Sequence, residues 1–104
     1  MTTTTGMFTT SDHVELLTRS WTVDAPRYDI LLVHGLGEHS GRWDGPADRF
    51  NRDGANVFSY DLRGHGASGH ERVHLDEWAS FHRDIAEMAQ ATVASSGRPW
   101  VLYG

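Results

Sequence analysis

The chain has 104 residues, which bounds it at one small domain. Fourteen acidic residues stand against nine basic ones, all Arg, for a formal charge of −5, whereas a nucleic-acid binder needs a basic face to meet phosphates. Cysteine is absent, which excludes a disulfide scaffold, a thiolate metal site and a cysteine nucleophile among these residues.

Residues 1–7 are Thr-rich with little to bury and read as a disordered tail. They have neither the basic start nor the apolar stretch of a secretory signal. The longest apolar runs, 30–33 and 100–103, fall far short of a membrane span. With 38% hydrophobic and 11% aromatic residues, a packed core and a cytoplasmic setting are expected. Residues 7–23 hold two short strand candidates. In the second, Val14, Leu16, Thr18, Ser20 and Thr22 alternate with Glu15, Leu17, Arg19, Trp21 and Val23, the pattern of an outer antiparallel strand. Pro26 marks a turn over 24–28.

Ile30, Leu31, Leu32 and Val33 are apolar in succession, as in a strand of a parallel sheet covered on both faces. A Gly-rich stretch follows. Trp43, Ala47 and Phe50 then fall at helical spacing, and Pro46 is tolerated only in a first turn, so a helix is expected from about Asp44 to Gly54. A second strand covers 55–60, centred on Val57 and Phe58. The clearest helix spans 76–95, where Trp78, Phe81, Ile85, Met88 and Thr92 or Val93 form one stripe. Asp76 and Glu77 suit its N-terminus, and Gly97 with Pro99 stops it. The last strand is 100–103. Strands alternating with helices predict an α/β fold with a largely parallel sheet. Because a parallel strand normally leads into a covering helix, residues 8–104 are expected to be the N-terminal portion of one larger domain.

Two loops carry the chemistry. The first, His34-Gly35-Leu36-Gly37-Glu38-His39-Ser40-Gly41, leaves the first buried strand, where open α/β sheets bind ligands. Its glycines allow close backbone approach and can aim a peptide N–H into a cleft, as an oxyanion hole requires; a plain strand-to-helix turn fits them equally well. The second, Asp61-Leu62-Arg63-Gly64-His65-Gly66-Ala67-Ser68, leaves the next strand. Gly64 and Gly66 permit a tight turn, and Asp61 and Arg63 are spaced to brace it by a local ion pair, a structural role.

The two stretches, 27 residues apart, together resemble the α/β-hydrolase fold family. The wording His34-Gly35-Leu36-Gly37-Glu38-His39-Ser40-Gly41-Arg42-Trp43 and Asp61-Leu62-Arg63-Gly64-His65-Gly66-Ala67-Ser68-Gly69 resembles its monoacylglycerol lipase and lysophospholipase branch, the serine aminopeptidase-like hydrolases. The resemblance runs from Asp29 to Gly104 and departs from the family's usual wording at Pro46 and His70-Glu71. It implies a nucleophile elbow Gly-x-Ser-x-Gly after the last strand, with Gly104 as its first glycine and the serine two residues later. The triad would then lie beyond Gly104, in a parent of about 250–300 residues. What the chain would supply is the backbone N–H of Leu36 as one oxyanion donor, in a loop shaped by His34, Gly35 and Gly37. Asp61, Arg63, Gly64 and Gly66 would form the supporting loop. None of the seven histidines would be the catalytic base; His34 would order the oxyanion loop, and His13 and His82 would lie on the surface.

The implied reaction is ester hydrolysis through an acyl-enzyme, on a monoacylglycerol, a lysophospholipid or a small ester. No metal, organic cofactor, nucleic acid or membrane insertion is implied. The rivals are a hydrolase with an Asp nucleophile, of the epoxide hydrolase or haloalkane dehalogenase type, and a non-catalytic hydrolase-like binding protein. Two further patterns belong to other classes. His70-Glu71-Arg72-Val73-His74 matches the zinc-protease motif, but Glu77 and Ser80 stand where its extended form has Gly and His. Gly64 to Gly69 fits G-x-G-x-x-G, but a polar stretch delays the helix and Asp84 falls inside it, so a dinucleotide site is rejected.

Overall fold

The structure, a computed structural model, describes residues 2–34, 40–63, 68 and 78–104. Five strands form one sheet: β1 (Thr2–Thr9), β2 (Glu15–Thr22), β3 (Tyr28–Val33), β4 (Ala55–Tyr60) and β5 (Trp100–Tyr103), in the order β1-β2-β4-β3-β5. β3 lies between β4 and β5 and runs parallel to both. β2 is antiparallel to β4, and β1 antiparallel to β2, so the strand expected from the alternation over 14–23 is antiparallel as predicted but is not outermost: β1 covers its other edge. A 3-10 turn, Ser40–Trp43, leads into helix α1 (Asp44–Arg52), and α2 (Trp78–Ala91) precedes β5.

The two helices cover opposite faces, because successive strand residues point to opposite sides. Leu16, Leu31 and Tyr60 pack with Phe81, Met88, Ala89 and Val93 on the α2 side. Trp21, Ile30, Leu32 and Val57 pack with Ala47, and with the partly buried Trp43 and Phe50, on the α1 side. Leu31 and its neighbours Ile30 and Leu32 therefore enter different cores, which is why β3 has no polar alternation.

Polar contacts fix α1 to the sheet. The Trp21 indole N–H donates to Asp44 Oδ1 in the first helical turn (3.0 Å). Asn51 Nδ2 donates to the carbonyls of Trp21 (3.0 Å) and Ala55 (2.8 Å). The helix stops as Asp53 N–H turns back to the Arg49 and Phe50 carbonyls and Gly54 takes φ +93°, which directs the chain into β4. α2 closes through Thr92 and Ala94 N–H bonds to Met88 and Ala89. Asp76 and Glu77, expected at its start, lie outside the described residues.

The tail expected over residues 1–7 needs correction. Thr2 to Thr9 pair with β2 along its whole length, from Thr2↔Thr22 to Thr9↔Glu15. The side chains are almost all exposed, so no hydrophobic pattern announces the strand. Backbone hydrogen bonds hold it, and β-branched Thr favours the extended conformation. Among the described residues, no helix is long and apolar enough to cross a membrane.

Candidate functional site

β3 and β4 end side by side, with Val33 opposite Tyr60, so the chain leaves both strands at one edge of the sheet. His34 and Asp61 are the first residues past that edge, and both are buried. His34 Nε2 accepts the N–H of Leu62 at 2.8 Å. A ring nitrogen that accepts carries no proton, so this imidazole is the neutral Nδ1–H tautomer. Asp61 Oδ1 accepts two bonds from Ser40, from its N–H and from its Oγ–H, each at 2.6 Å. Ser40 is itself fully buried, and its Oγ accepts Arg19 Nε–H at 3.0 Å. The two ends of segment 34–40 are thus tied to two consecutive residues, 61 and 62. Gly35, Leu36 and Gly37 lie outside the described residues, as do Gly64, Gly66 and the His70–His74 pattern.

The second loop is held from behind. Asp61 N–H donates to the Leu17 carbonyl (2.9 Å), and Ser68 Oγ donates to the Asp61 carbonyl (2.5 Å) while accepting Leu17 N–H (2.9 Å). The loop after β4 is therefore anchored at residues 61 and 68 to β2.

The expected local pairing of Asp61 with Arg63 gives way to longer-range partners. Arg63 is 2% exposed, and its Nε and Nη2 grip the two oxygens of the fully buried Asp84 on α2, both at 2.8 Å. Its Nη1 and Nη2 also reach Asp12 in the β1–β2 turn at 3.0 Å. The planar fork of a guanidinium suits a carboxylate approached end-on, which a residue two positions away on the same turn does not offer. The Asp84 hydrogen bonds, and then those of Asp12, push the Arg63 guanidinium further up from its already high range. Asp12 responds in the opposite sense. Hydrogen bonds from Arg63, then Thr10, hold its carboxyl well below the usual carboxylate range. Arg83 adds a bond to Asp12 Oδ2 (2.8 Å), and Glu87 accepts Ser11 N–H and Oγ–H (2.8 Å each), so the hairpin turn is riveted to α2.

Sequence reasoning quoted Ser40 and Ser68 inside the two motifs but gave them no role, and it placed Asp84 only as a helix residue. The signal available was position: each serine lies near the C-terminal end of its motif, where a side-chain hydroxyl can close the loop. His13, with φ +67° in the hairpin turn, and His82 on α2 are exposed, as expected. Beside the strand ends, His34, Arg42, Trp43 and Pro46 line a cavity of about 210 Å³. Trp43 and Pro46 also border a second one of about 360 Å³, with Arg49, Phe50 and Tyr103. A third, of about 280 Å³, includes Phe8 and Met88 on the α2 side and takes no part in this edge.

Comparison with known proteins bears on family and fold. The family model described as "Serine aminopeptidase, S33" matches residues 24–104. A monoacylglycerol lipase of Mycolicibacterium smegmatis is 46% identical over 66 residues, 62% of this chain and 24% of that protein. A monoglyceride lipase of Rattus norvegicus is 36% identical over 78 residues, 74% of this chain and 26% of that protein. The chain thus spans about a quarter of the length of these relatives. In fold, an alpha/beta hydrolase from Penicillium superposes with a TM-score of 0.80 at 17% identity, over 97% of this chain and 35% of that one.

Proposed function

Because the chain belongs to the serine aminopeptidase, S33 family of α/β-hydrolases, we propose that the protein carrying it is a serine ester hydrolase acting on monoacylglycerols. Lysophospholipids and small aryl or alkyl esters are the next substrate classes. The chain supplies the oxyanion loop, with the backbone N–H of Leu36 as one donor to the developing alkoxide. The nucleophilic serine, the acid and the histidine base come from sequence beyond Gly104, in the chain order usual for the family. No metal or organic cofactor enters the reaction, and the setting is cytoplasmic. The observation that carries this reading is the anchoring of His34 and Ser40 to Leu62 and Asp61, at the shared edge of β3 and β4. It supports a turn built to hold its backbone in one place, which an oxyanion donor needs and a plain connection does not.

The mechanism follows from that role. Attack on an ester carbonyl moves charge onto its oxygen, and a preorganised N–H stabilises that charge without having to reorient. Collapse of the tetrahedral species expels the alcohol and leaves an acyl-serine, which water then cleaves. The test is hydrolysis of a monoacylglycerol, a lysophospholipid and a p-nitrophenyl ester by the full-length protein, with mass spectrometry of the acid-quenched enzyme. Turnover with an acyl group on serine is expected. Absence of turnover, or an ester adduct on an aspartate, contradicts the proposal. The 104-residue chain by itself is expected to give no turnover above a buffer control.

A further inference from the structure

We infer that Asp61 is a positioning residue for the reaction: its buried carboxylate holds Ser40, on which the segment after β3 ends, without touching substrate. The inference rests on the ester-hydrolase reading above and assigns to Asp61 a role inside that site.

Three observations carry it. First, Asp61 is 1% exposed, and a carboxylate so buried is costly unless strong donors meet it. Ser40 gives it two, both at 2.6 Å, the short distance of charge-assisted bonds. Second, the second anchor is the next residue. His34 is held by Leu62 N–H, and the Cα atoms of residues 61 and 62 are only about 3.8 Å apart. Both ends of a seven-residue segment therefore refer to one short stretch of backbone. Third, that stretch cannot rotate. The peptide joining Asp61 to Leu62 has its carbonyl held by Ser68 Oγ and its N–H held by His34, while the Asp61 N–H is held by Leu17. The β2 strand fixes the peptide through Leu17, the peptide N–H holds His34, and the Asp61 carboxylate holds the Ser40 amide.

A positioning role has a kinetic signature. Displacing an oxyanion donor by a fraction of an ångström weakens an interaction made in the transition state, so kcat falls while KM holds. Asp61→Ala in the full-length protein is expected to lower kcat at least tenfold with KM within about twofold. Asp61→Asn keeps an acceptor oxygen of the same shape and is expected to recover most of that loss. A second readout is independent of chemistry. Amide hydrogen exchange at Ser40 should accelerate at least tenfold in Asp61→Ala, and much less in Asp61→Asn, with the β3 and β4 amides unchanged.

Equal losses in both variants, a rise in KM at constant kcat, or unchanged exchange at Ser40 each overturn the inference. If Asp61→Ala does not fold, Ser40→Ala removes the hydroxyl's bonds to Asp61 and Arg19 and keeps the amide bond to Asp61. A several-fold fall in kcat at constant KM is then expected, and unchanged kcat overturns the inference. The two readings fail separately. A wild-type protein without ester turnover that still shows the exchange pattern contradicts the ester-hydrolase reading and supports the clamp. An active wild type whose exchange and kinetics ignore Asp61 contradicts the clamp alone.

Discussion

Arg63, Asp84 and Asp12 show how burial decides what an ion pair is worth. Asp84 is fully buried and Arg63 nearly so, whereas the Asp12 side chain is 37% exposed. Removing one member of a buried pair strands the other charge, which costs about 3–5 kcal/mol, while an exposed partner is worth about 0.2–1 kcal/mol. Asp84→Ala should therefore destabilise the full-length protein several times more than Asp12→Ala, as read by urea unfolding at neutral pH. Comparable losses would contradict the assignment of Asp84 as the main counter-ion. The Asp12 contribution also has a direction in pH. Its folded pKa lies below the unfolded value near 3.8, so its stabilisation is complete above that value and fades as pH falls below it. The stability gap between wild type and Asp12→Asn should be flat from pH 5 to 8 and close below about pH 4. A gap that widens on acidification would contradict it. The sequence showed that Asp61 and Arg63 matter, because both sit where β4 ends. It could not show their partners, since Asp12 and Asp84 lie 51 and 21 residues from Arg63 and meet it only through the packing of a hairpin turn and a helix.

At the scale of elements, the legible parts were those driven by burial. The uninterrupted run Ile30–Val33 and the stripe of Phe81, Ile85 and Met88 follow from which faces are covered, and the stop at Gly54 from a backbone conformation that glycine favours. Only the end of β1, from Met7, was legible; its Thr-rich start was not, because a strand held by backbone pairing with exposed Thr side chains leaves no periodic signal. The Gly54 turn also makes a prediction. At φ +93° any other L-residue is strained, and an added Cβ would come within 2.7 Å of Arg27 Nε, whose side chain also bonds the Asp53 carbonyl. Gly97, at φ +81°, has nothing within 4 Å of its added Cβ. Gly97→Ala should cost about 1–2 kcal/mol from backbone strain alone, and Gly54→Ala more. Thermal unfolding of the two variants gives the order, and a smaller loss at Gly54 would contradict the close approach of Arg27.

For the whole molecule, the sheet is well covered at its centre and open at β5. Trp100, Val101, Leu102 and Tyr103 are 43–52% exposed on a strand paired, among the described residues, with β3 alone. Free strand edges with apolar side chains invite further pairing. The 104-residue chain on its own should therefore self-associate, with a sedimentation coefficient that rises with concentration and a Val101→Lys variant that stays smaller. A monomer at all concentrations would contradict this. The account as a whole turns on the loop between the ends of β3 and α1, and on the claim that its backbone, not its side chains, serves ester hydrolysis. The most direct measurement is turnover of a monoacylglycerol by the full-length protein with Leu36→Pro and with Leu36→Ala, both checked for native circular dichroism. Leu36→Pro deletes the N–H and should cost about a hundred- to a thousandfold in kcat, while Leu36→Ala keeps it and should stay within a few-fold of wild type. Equal activity in two equally folded variants would contradict the oxyanion role of this loop.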